Sequence, residues 1–372
     1  MHKTILVLPG DGIGPEVIAE AVKVIQWFNQ HSSHRFDLMH GLIGGASIDH
    51  SGLPLDNETL MIAKQVDSIL LGAVGGSQWD HIGNEYKPEK GLLKIRKELN
   101  LFANLRPATF FQALSASSPL KTEHITGLDF IIVRELTGDV YFGEPRGMAI
   151  VEGQDIAFNT MCYTKSEIER IARVAFTLAK QRNNQVCSVD KANVLETSML
   201  WRTTVQTIRD KEYPEVSLSH MYVDNAAMQL IRNPKQFDVM LTANLFGDIL
   251  SDEAAMLTGS LGMLPSASFG EHHSLYEPIH GSAPDIAGTN RANPLAMILS
   301  VAMMFQYSFK LEKEAQMIQR AITEVLDSGL RTKDILTPGD ILLSTTEMGN
   351  KIIEQLNKIK AKSIEKQFCY MM

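Results

Sequence analysis

Short apolar runs alternate with helical periodicity through most of the chain. Ile5-Leu6-Val7-Leu8 is an unbroken apolar run closed by Pro9-Gly10, which predicts a strand buried on both faces. Pro15 then suits the first turn of a helix, where its missing N–H removes no hydrogen bond. Val17, Ile18, Ala21, Val22, Ile25 and Phe28 follow at the spacing of one helix face. Ser68-Ile69-Leu70-Leu71 predicts a second buried strand and ends in a glycine-rich turn at 72–76. Residues 130–133 predict a third, and 186–189, 218–223 and 239–241 predict weaker ones. Thr164 and Glu167 form a capping-box pattern that opens a helix to Lys180. The apolar stretch 294–305 is too short for a bilayer, which needs about 20 residues, and predicts a buried helix. Strands alternating with helices predict an α/β protein with a largely parallel sheet. Residues 141–163 break the rhythm with four glycine and proline positions and predict a protruding hairpin or arm.

Length and charge narrow this further. At about 150 residues per domain, 372 residues predict two domains, and the absence of a linker predicts that they interleave. Hydrophobic residues at 44% and charged residues at 21% exclude a disordered or collagen-like chain. The net charge of −8, without basic blocks, argues against a nucleic-acid binder. Cys162, Cys187 and Cys369 are widely spaced, which suits a reducing cytoplasm and excludes a disulfide framework or zinc knuckle. The start carries no signal-peptide pattern, and a cytoplasmic protein is expected.

Five groups of residues are candidates for chemistry. Gly10-Asp-Gly-Ile-Gly14 is spaced G-x-G-x-G, not G-x-G-x-x-G, and reads better as a structural strand-to-helix turn than as a Rossmann phosphate site. Asp248 and Asp252 stand four apart, so both carboxylates share one helix face. They suit a hard dication with Asp224 as a third ligand, or a merely solvated face. Arg96, Arg106 and Arg134 suit a di-acid substrate, because guanidinium groups grip carboxylates with forked geometry. Each could equally be a structural ion pair. Lys191, after a short strand, suits a proton acceptor and Tyr141 a proton donor, or a surface lysine and a packing tyrosine. The polar loop 280–290 could wrap an adenosine, with Asp285 accepting from a ribose hydroxyl, or be a plain surface loop.

Taken together, G-D-G-I-G-P-E, G-L-L-K-I-R-K-E-L-N-L-F-A-N-L-R-P, V-R-E-L-T-G-D-V-Y-F-G, V-D-K-A-N-V-L, N-L-F-G-D-I-L-S-D and H-G-S-A-P-D-I-A-G resemble the isocitrate/isopropylmalate dehydrogenases, metal-dependent β-decarboxylating enzymes. The resemblance runs from Ile5 to about Ile353. It implies two interleaved α/β domains, not a Rossmann fold, with a β arm. The larger, cofactor-binding domain would take 1–102 and 257–372. The smaller, dimerising one would take 103–256, with the arm at about 141–163. It implies a homodimer with shared active sites. Arg96, Arg106 and Arg134 would hold the malate carboxylates. Asp248 and Asp252 would bind Mg²⁺ or Mn²⁺ with Asp224 of the other subunit, which also touches substrate. Lys191 of that subunit would be the general base, beside Asn193 and Val194, and Tyr141 would protonate the product carbon.

Leu92, Leu93 and Val194 would form an apolar pocket suited to an isopropyl group, with Glu89 repelling a further carboxylate. The resemblance therefore implies oxidative decarboxylation of 3-isopropylmalate to 4-methyl-2-oxopentanoate in leucine biosynthesis. Isocitrate, homoisocitrate or tartrate are alternative substrates, and a non-catalytic homologue is the alternative outside enzymes. The cofactor would be NAD, selected by Asp285 and Ile286. Gly76 and Glu89 on one side and His280, Gly281, Ser282, Ala283, Pro284 and Asn293 on the other would contact it. The C-terminal 368–372 is expected to be a tail without a role.

Overall fold

The alternation of side chains along the strands organises the whole molecule. The computed structural model describes residues 1–257 and 259–371, with side chains to residue 362. Twelve strands matter here: β1 (His2–Gly10), β2 (Arg35–His40), β3 (Ser68–Ala73), β4 (Ala103–Thr109), β5 (Asp129–Glu135), β6 (Gly147–Val151), β7 (Gln154–Phe158), β8 (Gln185–Asp190), β9 (Ser217–Tyr222), β10 (Val239–Thr242), β11 (Pro265–Phe269) and β12 (Ser274–Pro278). Ten of them form one sheet in the order β2-β1-β3-β12-β11-β4-β5-β10-β8-β9. Its outer pairs are parallel, as expected. The central contacts β12·β11, β11·β4 and β4·β5 are antiparallel. This order and the antiparallel centre are not those of a Rossmann sheet.

All six expected strands form, and β3 is buried at every position. The helix Lys165–Lys180 opens on the expected capping box, Thr164 accepting from the Glu167 N–H and Glu167 from the Thr164 N–H. Residues Leu295–Met303 are a fully buried helix. Pro15 lies in the first turn of the helix Gly14–His31. Gly10 and Gly12 take left-handed φ of 70° and 57°, and a Cβ there would strike the Ala73 and Ser282 carbonyls, so the glycine cluster is a packing turn.

Residues of alternate parity on the strands face opposite sides. Ile5 and Val7, Leu70, Tyr276, Ala267, Leu105, Ile131 and Val133 all join one continuous apolar cluster under the helices Gly14–His31, Lys165–Lys180 and Leu295–Met303. The other face carries two separate clusters. Leu6, Leu8, Ile69, Leu71 and Leu275 belong to one. Ala108, Phe130, Ile132 and Met240 belong to the other. Between them the same face presents Glu277, Ser266, Ser268, Asn104, Arg106 and Arg134, all buried. A polar stripe therefore crosses the middle of the sheet, flanked by apolar floor on each side. Burying so many polar groups is tolerable only when each finds partners.

The region at 141–163 departs from its expected extent. Its strands are only β6 and β7, a separate antiparallel hairpin exposed at all ten positions. Tyr141 sits before it, in the 3₁₀ turn Asp139–Tyr141. The last helix, Thr345–Met371, carries the backbone of the expected tail; the side chains of 368–371 and residue 372 lie outside the described ones. Cys162 and Cys187 are free thiols. Among the described residues no helix is long and apolar enough to cross a membrane.

Candidate active site

The polar stripe opens into a cavity of about 180 Å³ lined by Leu93, Arg96, Arg106, Arg134, Leu136, Tyr141, Phe142, Asn244 and Asp248. All three expected arginines thus meet in one place. Arg96 reaches it from the helix Pro88–Glu98, Arg106 from β4 and Arg134 from β5. Leu93 leaves the same helix four residues beyond Glu89. Asp248 and Asp252 rise from one face of the helix Asn244–Leu257, with the Arg106 Nη1 at 3.3 and 3.6 Å from their oxygens. Arg134 donates from Nη1 to Asp248 Oδ1 at 2.5 Å, and the Tyr141 hydroxyl donates to Oδ2 at 2.7 Å.

Crowding three cations and a carboxylate pair has electrostatic consequences. Burial pushes the Arg134 guanidinium down to about 10, helped by Arg106 beside it, yet leaves it charged near neutral pH. Burial also lowers Arg106. Burial alone would raise the Asp248 carboxyl, but Arg134 and Arg106 hold it below its ordinary range. Asp252 is raised, by burial first and then by its neighbour Asp248. Burial and the bond to Asp248 push the Tyr141 phenol up to about 12, so it remains a protonated donor.

Lys191 stands apart from this cavity. It follows β8, its N–H donating to Ser198 Oγ at 3.1 Å. Asp190 before it is buried and gripped by Arg202 through two bonds of 2.9 Å. The Lys191 ammonium donates to Asp224 at 2.7 Å, and this pair lowers the Asp224 carboxyl. Asn193 and Val194 are exposed beside it, Val194 by 60%. Among the described residues no three His, Cys, Asp or Glu lie together as a metal site. Asp248 and Asp252 supply two hard oxygen donors, so a dication there needs further ligands from elsewhere. Leu92 is half-buried and packs on the cluster of Leu6, Leu8 and Ile95 rather than lining the cavity.

The 280–293 loop forms a second cavity of about 250 Å³. Its lining includes Ile13, Ser260, His280, Ala283, Ile286, Asn293 and Asp334. Asn293 donates to Asp334 at 2.9 Å, and Ile13 N–H to the Ser282 carbonyl at 2.8 Å, which ties the loop to the glycine turn. His280 Nε2 is buried without a hydrogen-bond partner, and burial lowers the imidazole, so it is a neutral group. Gly281, Pro284 and Asp285 are exposed on this loop. Gly75 approaches Glu89 so closely that a Cβ would lie 2.8 Å from its Oε1, with Ser282 Oγ 3.9 Å away. Gly76 packs under Trp79 in the same way.

Residues 4–352 match the model of the isocitrate/isopropylmalate dehydrogenases. The 3-isopropylmalate dehydrogenase of Paramagnetospirillum magneticum is 56% identical over 366 residues, which cover 96% of this chain and 99% of that one. That of Pseudomonas putida is 57% identical over 361 residues, covering 96% and 100%. The crystal structure of isocitrate dehydrogenase from Methylococcus capsulatus superposes with a TM-score of 0.84 at 35% identity, covering 96% and 99%. The chain belongs to the isocitrate/isopropylmalate dehydrogenase family.

Both cavities of this family member also contain residues not expected from the sequence. Leu136, Phe142 and Asn244 line the first cavity, and Ile13, Ser260 and Asp334 the second. Asn244 opens the motif N-L-F-G-D-I-L-S-D and was therefore within reach of the motif. Asp334 comes from a segment without a motif. Asp11 is buried and accepts the N–H groups of Gly45, Ala46 and Gly75, each at 2.8 Å, so it joins three loops around the glycine turn.

Proposed function

We propose that the chain uses NAD to oxidise and decarboxylate 3-isopropylmalate to 4-methyl-2-oxopentanoate, a step of leucine biosynthesis in the cytoplasm. The observation that carries this reading is the first cavity. Three arginines and a protonated tyrosine converge there on a space with an apolar wall of Leu93, Leu136 and Phe142. The arginines match the carboxylates of a malate core. The apolar wall suits an isopropyl substituent. Setting a third carboxylate against it would cost several kcal/mol, which disfavours isocitrate.

The two oxygen donors of Asp248 and Asp252 fit Mg²⁺ or Mn²⁺, completed by Asp224 of a second subunit. Such a cation would supply Lewis-acid stabilisation of the negative charge that develops on the substrate's C2 oxygen. The unpartnered, neutral His280 nitrogen in its cavity fits an adenosine group. The 280–293 loop, with Gly76 and Glu89 at the nicotinamide end, would hold NAD, which would supply the hydride acceptor for C2. Arg96, Arg106 and Arg134 orient the substrate, with Leu93, Asn193 and Val194 around its side chain. Lys191 takes the proton of the C2 hydroxyl, so the alcohol can lose hydride without becoming an oxocarbenium cation. After CO₂ leaves, Tyr141 gives its phenolic proton to C3.

Lys191 and Asp224 reach a cavity through a homodimer. Exposed apolar side chains support it: Met148 and Ile150 on the hairpin, Met228 and Ile231 on the helix of Asp224, and Ile249 and Met256 on the helix of Asp248. The separate apolar clusters on one sheet face support two domains, 1–102 with 257–372 and 103–256 with its arm at about 141–163.

The direct test follows NADH absorbance with NAD⁺, Mg²⁺ or Mn²⁺, and either 3-isopropylmalate or isocitrate. Reduction with the first alone, abolished by EDTA, is expected. Reduction with isocitrate alone would overturn the substrate and keep the chemistry. The exposed Asp285 would repel a 2′-phosphate, so Asp285→Lys with Ile286→Tyr should move the NADP-to-NAD preference by about a hundredfold. An unchanged ratio of kcat/KM values would remove Asp285 from cofactor selection.

A further inference from the structure

The arginines of the first cavity are held in two different ways. Arg96 donates from Nη2 to the buried carboxylate of Glu277 at 2.7 Å, so its charge is matched within the protein. Arg106 and Arg134 are instead gripped along their inner edges by amide oxygens. Arg106 Nε donates to Asn104 Oδ1 at 2.7 Å. Arg134 donates from Nε and Nη2 to Asn244 Oδ1 at 3.0 and 2.7 Å. Both asparagines are buried, Asn104 completely.

Their amide orientation is fixed by what lies behind them. Asn104 Nδ2 donates to Ser266 Oγ, Ser268 Oγ and the Ala267 carbonyl at 2.8, 3.0 and 3.3 Å. Asn244 Nδ2 donates to the Gly138 carbonyl at 3.1 Å, and its backbone N–H to the Tyr163 hydroxyl at 2.9 Å. A carbonyl can only accept, so the amide oxygens must face the guanidiniums. The outer ends of Arg106 and Arg134 point the other way, Arg106 to Ser251 and the Asp248 and Asp252 carboxylates and Arg134 to Asp248.

A neutral acceptor aims a guanidinium without cancelling its charge, whereas a carboxylate does both. We propose that Asn104 and Asn244 are positioning residues: they aim the Arg106 and Arg134 guanidiniums from their inner edges without a carboxylate of their own, so that both charges become free for the two carboxylates of the malate core when a cation takes up Asp248 and Asp252, while Arg96 stays paired with Glu277. This rests on the substrate class proposed above. When a substrate carboxylate and a cation at Asp248 enter, the outer bonds exchange partners and the amide bonds persist. Their geometry is therefore set before substrate arrives.

Replacing the amide by a carboxylate keeps the acceptor oxygen and removes the free charge. Replacing it by a methyl keeps the charge and removes the aim. Asn244→Asp should raise the calorimetric Kd for malate and for 3-isopropylmalate by about tenfold, with kcat within about threefold. Asn244→Ala should do the reverse, lowering kcat about tenfold with Kd within about threefold. The KM for NAD should not move in either. Asn104→Asp and Asn104→Ala give the same comparison at Arg106 should one variant fail to fold. A purely structural role would depress both variants alike, and equal Kd and kcat changes in the Asp and Ala pairs would overturn the proposal. Wild-type silence with 3-isopropylmalate would instead strike the substrate assignment, because malate binding is read without turnover.

Discussion

Lys191→Met is expected to abolish turnover while leaving 3-isopropylmalate binding in place. The proton of the C2 hydroxyl needs an acceptor as hydride departs, and general-base groups of this kind contribute about a hundred- to ten-thousandfold. A fall in kcat of about a thousandfold is the central expectation. Methionine keeps the length of the side chain and removes its amine, so packing around the loop changes little. The ion pair lost with the amine is half-open to solvent, with Asp224 more exposed than Lys191. Such pairs contribute at most about 1 kcal/mol, so the melting temperature should move by only a few degrees. The three arginines proposed to bind substrate lie at another place in the chain's fold and keep their partners. Single-turnover NADH formation separates the chemical step from binding and release. Near-normal turnover by folded protein would remove Lys191 from the role of base.

The same physics decides what could be read before any coordinates. β3 and β5 were legible because they are buried on both faces, so their sequences are unbroken apolar runs. β4 lies at the centre of the sheet and was not foreseen. Its sequence, Ala-Asn-Leu-Arg-Pro-Ala-Thr, carries an asparagine, an arginine and a proline, all of which argue against a central strand. It is tolerated there because one face belongs to the apolar core and the other to the site, where Asn104 and Arg106 find buried partners. β11, Pro-Ser-Ala-Ser-Phe, was hidden for the same reason, since Ser266 and Ser268 serve Asn104. The residues that looked wrong for structure are those that build the site.

The charged residues themselves were legible because unpaired charge is rare inside a protein. Their partners were not. Nothing in the chain links Arg96 to Glu277, 181 positions away, or Arg134 to Asn244, 110 away, until the sheet brings them together. The proposed metal ligands show the opposite limit. Asp248 and Asp252 share a helix face by spacing alone, whereas Asp224 lies beside Lys191 in the same chain. Spacing can place two carboxylates together, but only assembly can supply a third from another subunit.

A site shared between subunits, as proposed, gives the second large effect. Arg106 and Asp248 belong to one cavity, while Lys191 and Asp224 pair with each other elsewhere in the chain. If each site is completed by a partner's Lys191 and Asp224, Lys191→Met and Arg106→Ala inactivate different halves of it. Each variant alone should be nearly inactive. After the two are unfolded together and reassembled in equal amounts, about half of the dimers should carry one chain of each kind. In such a dimer one site combines an intact Arg106 with an intact Lys191, and the other has neither. Activity should therefore recover to about a quarter of the wild-type value. Two inactive proteins gaining that much activity on mixing has no explanation in a site built within one chain. Differently tagged subunits prove that mixed dimers form, and NADH production from the doubly purified fraction reads the result. The exposed apolar side chains of the Asp224 and Asp248 helices lie on the elements that would then meet, so Met228→Lys with Ile231→Lys should block both dimer formation and the recovery. Proven mixed dimers without recovered activity would assign Lys191 to its own chain's cavity and require a rearrangement of the loop after β8.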